Sequence, residues 1–183
     1  MLYGFETMKK LILINSLICN ILKKEDNQCL LSIAVSQRAK FEGWLKFELA
    51  SKLKAQFPDT YVEYPAGAKH VDIYFENTLL ELKTPNTNFR IEGVETKSRP
   101  ITKNIRSVID DELKLHEIFI KNEVPATFEG FFSFVLFPID ENDNYRKYLG
   151  LISETGYIEE NVYEIVKIGN RYPVCVYTGK VKK

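Results

Sequence analysis

The sequence predicts an α/β protein in which a mixed central β-sheet is flanked by helices on both faces. Apolar residues recur at helical spacing before residue 58, which favours helices in that part of the chain. Residues 61–84 alternate between apolar and polar, as strands do. Residues 131–139 form a nearly continuous apolar run, which is typical of a strand buried on both faces. A length of 183 residues with 45% hydrophobic residues fits one domain with a sizeable core.

The charge balance excludes a strongly basic binding protein but leaves local patches open. Lys+Arg and Asp+Glu each number 25, so the formal net charge is zero. The three cysteines, Cys19, Cys29 and Cys175, are widely separated and lack the spacing of a zinc site. They predict reduced, mostly buried thiols, and we therefore expect a cytoplasmic protein.

Residues 1–40 are predicted to form a helical extension. Apolar residues at helical spacing (Leu11, Ile14, Ile18, Ile21 and Leu22) indicate a core-facing helix that ends near Lys23. A signal peptide is the alternative, because two lysines precede the apolar run. No small-residue cleavage site follows, however, and the run is too short to span a bilayer, so no membrane partner is expected. A second helix is predicted at residues 29–35.

Residues 41–57 give the strongest helical pattern. Leu45, Leu49 and Leu53 form an apolar stripe, and Pro58 ends the helix. Glu48 lies beside this stripe, where it can point along the edge of the sheet.

Residues 61–84 are predicted to form three short strands. If Glu76-Asn77 is a two-residue hairpin loop, Phe75 pairs with Thr78, and the same register sets Asp72 opposite Glu81. Lys83 then follows Glu81 on the same face, because residues i and i+2 of a strand point the same way.

Two carboxylates that face each other across a sheet repel, so this hairpin requires an explanation. A proton or a cation between Asp72 and Glu81 would relieve the repulsion, and magnesium or manganese suits carboxylate ligands. Lys83, whose side chain is not needed for a core that Leu80 and Leu82 fill, could hold a water molecule or stabilise a phosphate. An ordinary solvated strand face is the alternative.

Asp72 followed by Glu81-Leu82-Lys83 resembles the signature of the PD-(D/E)XK, or restriction-endonuclease-like, phosphodiesterase superfamily. The resemblance covers about residues 40–137, and Val71 stands where the pattern has proline. It implies a restriction-endonuclease-like core at residues 41–137 that hydrolyses nucleic-acid phosphodiesters, most often in DNA, with Mg²⁺ or Mn²⁺. The biological setting (restriction, repair, recombination or defence) stays open, and so does a homodimer.

The resemblance also assigns roles to residues. Asp72 and Glu81, with the backbone carbonyl of Leu82, would bind the metal ion, and Lys83 would orient or activate water. Because the superfamily often adds an acidic ligand from the preceding helix, Glu48 is a further candidate for catalysis and metal binding.

Two alternatives stay open at this point. Glu48 forms an i,i+4 pair with Lys52 on an ordinary helix surface, and Glu42 is the other acid of the same helix. The whole chain could also keep a nuclease-like fold without catalysis, as a nucleic-acid-binding or assembly module.

A long polar connection follows Lys83 and predicts a functional lid or a binding segment. Ser98 and Pro100 then predict a helix start. Arg99, Lys103 and Arg106 fall on its early turns and are candidates for contacts with DNA phosphates. A solvated face is the alternative, because the acidic residues 110–112 follow directly.

Residues 138–183 are predicted to complete the sheet with a helix at 145–154 and a hairpin around Gly169-Asn170. The acidic run at 140–144 imitates a calcium loop, but Tyr145 replaces the required glycine, which excludes that site. His70 and His116 lack catalytic partners and are assigned capping or surface roles.

Overall fold

The computed structural model describes residues 2–96, 100–140 and 142–183. Within these ranges the fold is α/β, with five α-helices and a six-stranded mixed sheet. The elements in chain order are α1 (Leu2–Lys23), α2 (Gln28–Ser36), α3 (Glu42–Lys54), β1 (Tyr61–Ala66), β2 (Lys69–Phe75), β3 (Thr78–Lys83), α4 (Ile101–Ile120), β4 (Glu129–Leu136), α5 (Arg146–Ser153), β5 (Ile158–Ile168) and β6 (Tyr172–Val181). A 3₁₀ turn, Glu25–Asn27, joins α1 to α2.

The strands lie in the order β1-β2-β3-β4-β6-β5, and among these described strands only the β3–β4 pair is parallel. A parallel pair needs a crossover connection, and α4 provides it. Because α4 must return along the sheet to start β4, it lies over β3 and β4.

Helices cover both faces of the sheet, as predicted. One apolar cluster joins α1, α2 and α3 to the sheet, and a second joins α4 and α5 to the opposite face. β4 contributes Phe131 and Val135 to the first cluster and Phe132 and Phe134 to the second. Burial on both faces accounts for its nearly continuous apolar sequence.

The predicted register of the β2–β3 hairpin is confirmed next to its loop, but the paired residues of this described hairpin do not extend to Asp72 and Glu81. Phe75 pairs with Thr78 and Ile73 pairs with Leu80. Glu76 and Asn77 form the loop with positive φ angles of 42° and 57°. Positive φ angles at both central residues define a type I′ turn, whose twist matches that of the flanking strands. Glu76 and Asn77 adopt this turn although neither is glycine.

The N-terminal helix is integral to one face of the domain rather than an appendage. Leu11, Ile14, Ile18 and Leu22 are all fully buried. They belong to the same cluster as α3 and the sheet. In the described parts of the chain, no helix combines the length and apolar character that a membrane span needs.

The three cysteines are free thiols, as predicted. Burial raises the pKa of Cys19 and of Cys175 to about 12. Cys29 is exposed.

The polar connection between β3 and α4 is held by a buried arginine from the N-terminal region. Arg38 is 3% exposed and donates hydrogen bonds to the carbonyls of Thr87, Phe89 and Glu95. The described part of this connection is therefore fixed to the body of the domain. The predicted helix start at Ser98 lies outside the described residues.

Candidate active site

β3 sends alternate side chains to opposite faces of the sheet. Leu80 and Leu82 enter the cluster under α1–α3, whereas Glu81 and Lys83 contact α4 on the other face. The Glu81 side chain is 4% exposed and that of Lys83 is 23% exposed. Lys83 is thus more buried than a solvated strand position would be.

Asp72 lies on β2, one residue beyond the last hydrogen-bonded pair of the hairpin, Ile73 and Leu80. Its Oδ2 accepts a hydrogen bond from the backbone N–H of Leu82 at 2.8 Å, and its Oδ1 lies 3.1 Å from Lys46 Nζ. The carboxylate therefore replaces a backbone partner at the end of the hairpin. Asp72 is thus bonded to the backbone of the residue that follows Glu81, and its negative charge contributes to the raised pKa of Glu81.

Lysines from three elements supply cations around these acids. Lys46 on α3 contacts Asp72, and Lys114 on α4 contacts Glu81. Lys83 lies 2.9 Å from Asp111 of α4. Two facing carboxylates require a proton or a cation nearby, and in this structure lysine ammonium groups are in contact with both of them.

The protonation states follow from burial and from these pairs. Burial raises the pKa of Glu81 to about 8, with the charge of Asp72 adding to the effect and Lys114 opposing it. Burial also raises the pKa of Asp111, and Lys83 opposes that rise. Burial lowers the pKa of Lys83, but Asp111 and Glu42 outweigh it and raise the pKa overall. Lys83 is therefore a cation and a hydrogen-bond donor at neutral pH, not a base.

The acid that α3 brings to this region is Glu42, not the predicted Glu48. Glu42 lies 3.5 Å from Lys83 Nζ and accepts a hydrogen bond from the backbone N–H of Thr84 at 3.2 Å. Glu48 lines a cleft between α1 and α3 together with Lys24. Glu42 and Glu48 are six residues apart, which corresponds to a rotation of about 240° around the helix axis, so the two acids lie on different faces of α3.

The donor set matches a hard divalent ion in chemistry. Carboxylate and carbonyl oxygens are the ligands that magnesium prefers, and one or two carboxylates with water suffice. The described residues contain no group of three or more His, Cys, Asp or Glu side chains arranged for a metal ion. The fit therefore rests on the pair Asp72 and Glu81, each of which has a lysine within ion-pair distance.

The predicted phosphate contacts lie on α4, but only two of the three fall within the described residues. Lys103 and Arg106 are exposed on the early turns of α4, and Arg99 lies outside the described residues. Further along the same helix, Asp111 and Lys114 contact Lys83 and Glu81. The basic turns therefore precede the part of α4 that contacts the acids.

The histidines take no part in this cluster. His70 is exposed, and His116 Nδ1 forms a hydrogen bond with the backbone carbonyl of Lys182 at 2.9 Å.

Comparison of the chain with models of protein families, with curated proteins and with solved structures finds no match.

Proposed function

We propose that this protein is a metal-dependent nuclease that hydrolyses phosphodiester bonds and that its substrate is DNA. The observation that carries the proposal is the hydrogen bond from the backbone N–H of Leu82, which lies between Glu81 and Lys83, to the carboxylate of Asp72 at one end of a single hairpin. The order of elements supports a restriction-endonuclease-like core: a helix that carries Glu42 and Glu48 (α3) precedes the hairpin, and a helix (α4) follows it.

Asp72 and Glu81, with the backbone carbonyl of Leu82, would hold Mg²⁺ or Mn²⁺. Such an ion lowers the pKa of bound water and offsets charge on a phosphate. Lys83, fixed by Asp111 and Glu42, is a cationic donor suited to orient the water or to stabilise charge that develops on the phosphate.

In this proposal Lys46 and Lys114 hold the two acids in the metal-free protein. Each contacts an oxygen that would otherwise be a ligand. Metal binding would then exchange an ammonium contact for an ion contact, which requires both carboxyl groups to be ionised.

One observation favours a second function. Each acid of the cluster already has a lysine within ion-pair distance, so the site is satisfied without a metal ion. A nucleic-acid-binding or assembly module that keeps the fold without catalysis would have this property.

Cleavage of plasmid and oligonucleotide DNA with Mg²⁺ or Mn²⁺ tests the proposal. Lys83→Ala should reduce the rate about 10²–10³-fold, because the donor acts mainly in the transition state. Lys10→Ala, which removes a part-buried lysine paired with Glu129, serves as the matched control and should retain activity.

Loss of stability has to be separated from loss of chemistry in this test. Lys83→Ala leaves the part-buried Asp111 without its closest cation, so thermal melts should show destabilisation. The double variant Lys83→Ala/Asp111→Asn removes that unpaired charge and should recover stability without recovering cleavage. Full activity in Lys83→Ala would refute the assignment of the site.

A further inference from the structure

Three tyrosines form an aromatic surface beside the candidate active site. The rings of Tyr64 and Tyr74 are stacked, with centroids 4.3 Å apart, and Tyr61 lies 6.2 Å from Tyr74 and 6.5 Å from Tyr64. Tyr61 is 53% exposed. We call Tyr61, Tyr64 and Tyr74 the tyrosine surface.

A local reversal of the strand pattern creates this surface. In a regular strand, Tyr61 and Tyr64 would point to opposite faces, because they are three residues apart. Glu63 between them has a positive φ of 51°. As a result, Val62 packs toward α1–α3 while Tyr64 packs toward α4. A left-handed residue of this type costs on the order of 1–2 kcal/mol. The reversal packs Tyr64 and Ala66 toward α4 and leaves Tyr61 largely in solvent.

The tyrosine surface lies on the same face of the sheet as Glu81, because Tyr64 and Tyr74 pack toward α4 and Glu81 contacts Lys114 of α4. Tyr74 is two residues from Asp72 on the same strand, which corresponds to about 6.6 Å between their Cα atoms. Lys46 contacts both Asp72 and Glu63, so the same cation belongs to the site and to the backbone reversal. Glu63 is the nearest anion to the rings in sequence, and its charge is paired with that lysine.

The position of the surface limits what can occupy it. β1 is an edge strand of the sheet, so no further strand of the described chain covers Tyr61. Pro65 lacks a backbone donor and Glu63 distorts the strand, and both features disfavour the addition of a strand from another protein. A planar ring that stacks on tyrosine does not need a regular strand edge.

We propose that the tyrosine surface stacks an unpaired nucleobase, so that the DNA strand entering the site is single-stranded next to the bond that is cut. This inference rests on the proposed nuclease function and names its substrate class. Stacking on an aromatic side chain contributes about 1–3 kcal/mol per base and tolerates any base, because every base has a π face. Cleavage would then favour single strands, flaps or frayed ends over continuous duplex.

Binding of a fluorescein-labelled oligothymidylate and of a hairpin duplex, measured by anisotropy with metal chelated, tests the inference. Tyr61→Ala should weaken binding of the single strand about 5- to 150-fold and leave binding of the duplex nearly unchanged. Tyr61→Phe keeps the ring and should bind as the wild type does. Tyr61→Leu keeps apolar volume for packing on Tyr74 but lacks a π face, and should weaken binding as alanine does. Tyr163→Ala, which removes a 44% exposed tyrosine from β5 at the opposite edge of the sheet, is the matched control.

The outcomes separate this inference from the nuclease proposal. Absence of single-strand binding by the wild type, equal effects of Tyr61→Ala and Tyr163→Ala, or wild-type binding by Tyr61→Leu would each overturn the stacking role. If Tyr61 supports selective single-strand binding but the protein cuts no DNA with Mg²⁺ or Mn²⁺, the stacking role stands and the nuclease proposal fails alone.

Discussion

A carboxyl group as deeply buried as that of Glu81 holds its proton up to a pH at which most acids are ionised. Burial raises the pKa of Glu81 to about 8, even though Lys114 contacts it. A metal ion binds the ionised form, so the proton on Glu81 competes with the metal. The proposed site therefore has a pH dependence that an exposed glutamate would not have.

Metal affinity and cleavage should rise as pH increases through about 8. Calorimetric titration with Mn²⁺ at about pH 6 and about pH 9 should show a change of at least tenfold in affinity, because Glu81 changes from mostly protonated to mostly ionised. Glu81→Gln should bind weakly at both values. Equal affinity of the wild type at the two pH values would contradict the assignment of Glu81 as a ligand.

The two acids of α3 give a matched pair of variants. Glu42→Gln should reduce cleavage, because Glu42 contacts both Lys83 and the backbone N–H of Thr84. Glu48→Gln, on another face of the same helix, should retain wild-type rates. The comparison uses kcat at saturating metal with thermal melts of both proteins. A larger reduction in Glu48→Gln would restore the assignment made from the sequence.

At the scale of elements, α4 joins the core to the candidate site. Its buried face packs on the sheet, Asp111 and Lys114 contact Lys83 and Glu81, and its early turns expose Lys103 and Arg106. Three consecutive acids, at 110–112, take three different environments: exposed, half-buried and fully buried. Successive helical residues point in directions about 100° apart, so neighbouring acids differ in burial. The sequence shows only three like charges in a row and does not reveal this difference.

The basic early turns of α4 should contribute to binding by neutralising DNA phosphates. The double variant Lys103→Ala/Arg106→Ala should weaken DNA binding at low salt. It should also reduce the log–log salt slope by about 0.7 to 0.9 for each phosphate that is no longer neutralised. Lys52→Ala/Lys54→Ala on α3 removes two exposed lysines elsewhere and is the control. An unchanged slope in the α4 variant would assign these residues to an ordinary solvated surface, and adding Arg99→Ala would test the third predicted residue.

At the scale of the whole molecule, a second buried acid affects stability. Glu112 is fully buried on α4 and accepts a hydrogen bond from Thr155 through Oε1. Within the described residues, its Oε2 has no hydrogen-bond partner. Burial raises the pKa of Glu112 from 4.5 to about 7, with Thr155 opposing the rise. The folded protein thus holds a proton that the unfolded chain releases, so stability falls as pH rises from about 4.5 to about 7.

Glu112→Gln should remove this dependence. Glutamine resembles the protonated acid and can still accept the hydrogen bond from Thr155, so the free energy of unfolding should gain on the order of 2–3 kcal/mol near neutral pH. Urea denaturation across this pH range measures the effect, with Glu154→Gln at an exposed position as the control. A Glu112→Gln protein with the wild-type pH profile would show that Glu112 is ionised in the fold.

Local sequence was sufficient for the elements that depend on neighbouring residues. The alternation of Val71, Ile73 and Phe75 and a two-residue loop predicted the register of the β2–β3 hairpin, because pairing in a short hairpin follows from its turn. The apolar stripes of α1 and α3 predicted their buried faces, because apolar residues at helical spacing form one face that packs on the core. The alternating pattern does not hold at Asp72. It predicts that Val71 and Ile73 lie on one face of the sheet, but they pack in clusters on opposite faces.

Only the tertiary structure determined which charges surround the hairpin. Lys46 lies 26 residues from Asp72 in sequence, and Lys114 lies 33 residues from Glu81. No local pattern marks either lysine, since each is one charge among many on an amphipathic helix. The packing of α3 and α4 on the sheet decides which helical residues meet the acids, and the same packing selects Glu42 over Glu48. Helix rotation and position depend on the whole core, so the electrostatics of the site depend on the assembled fold.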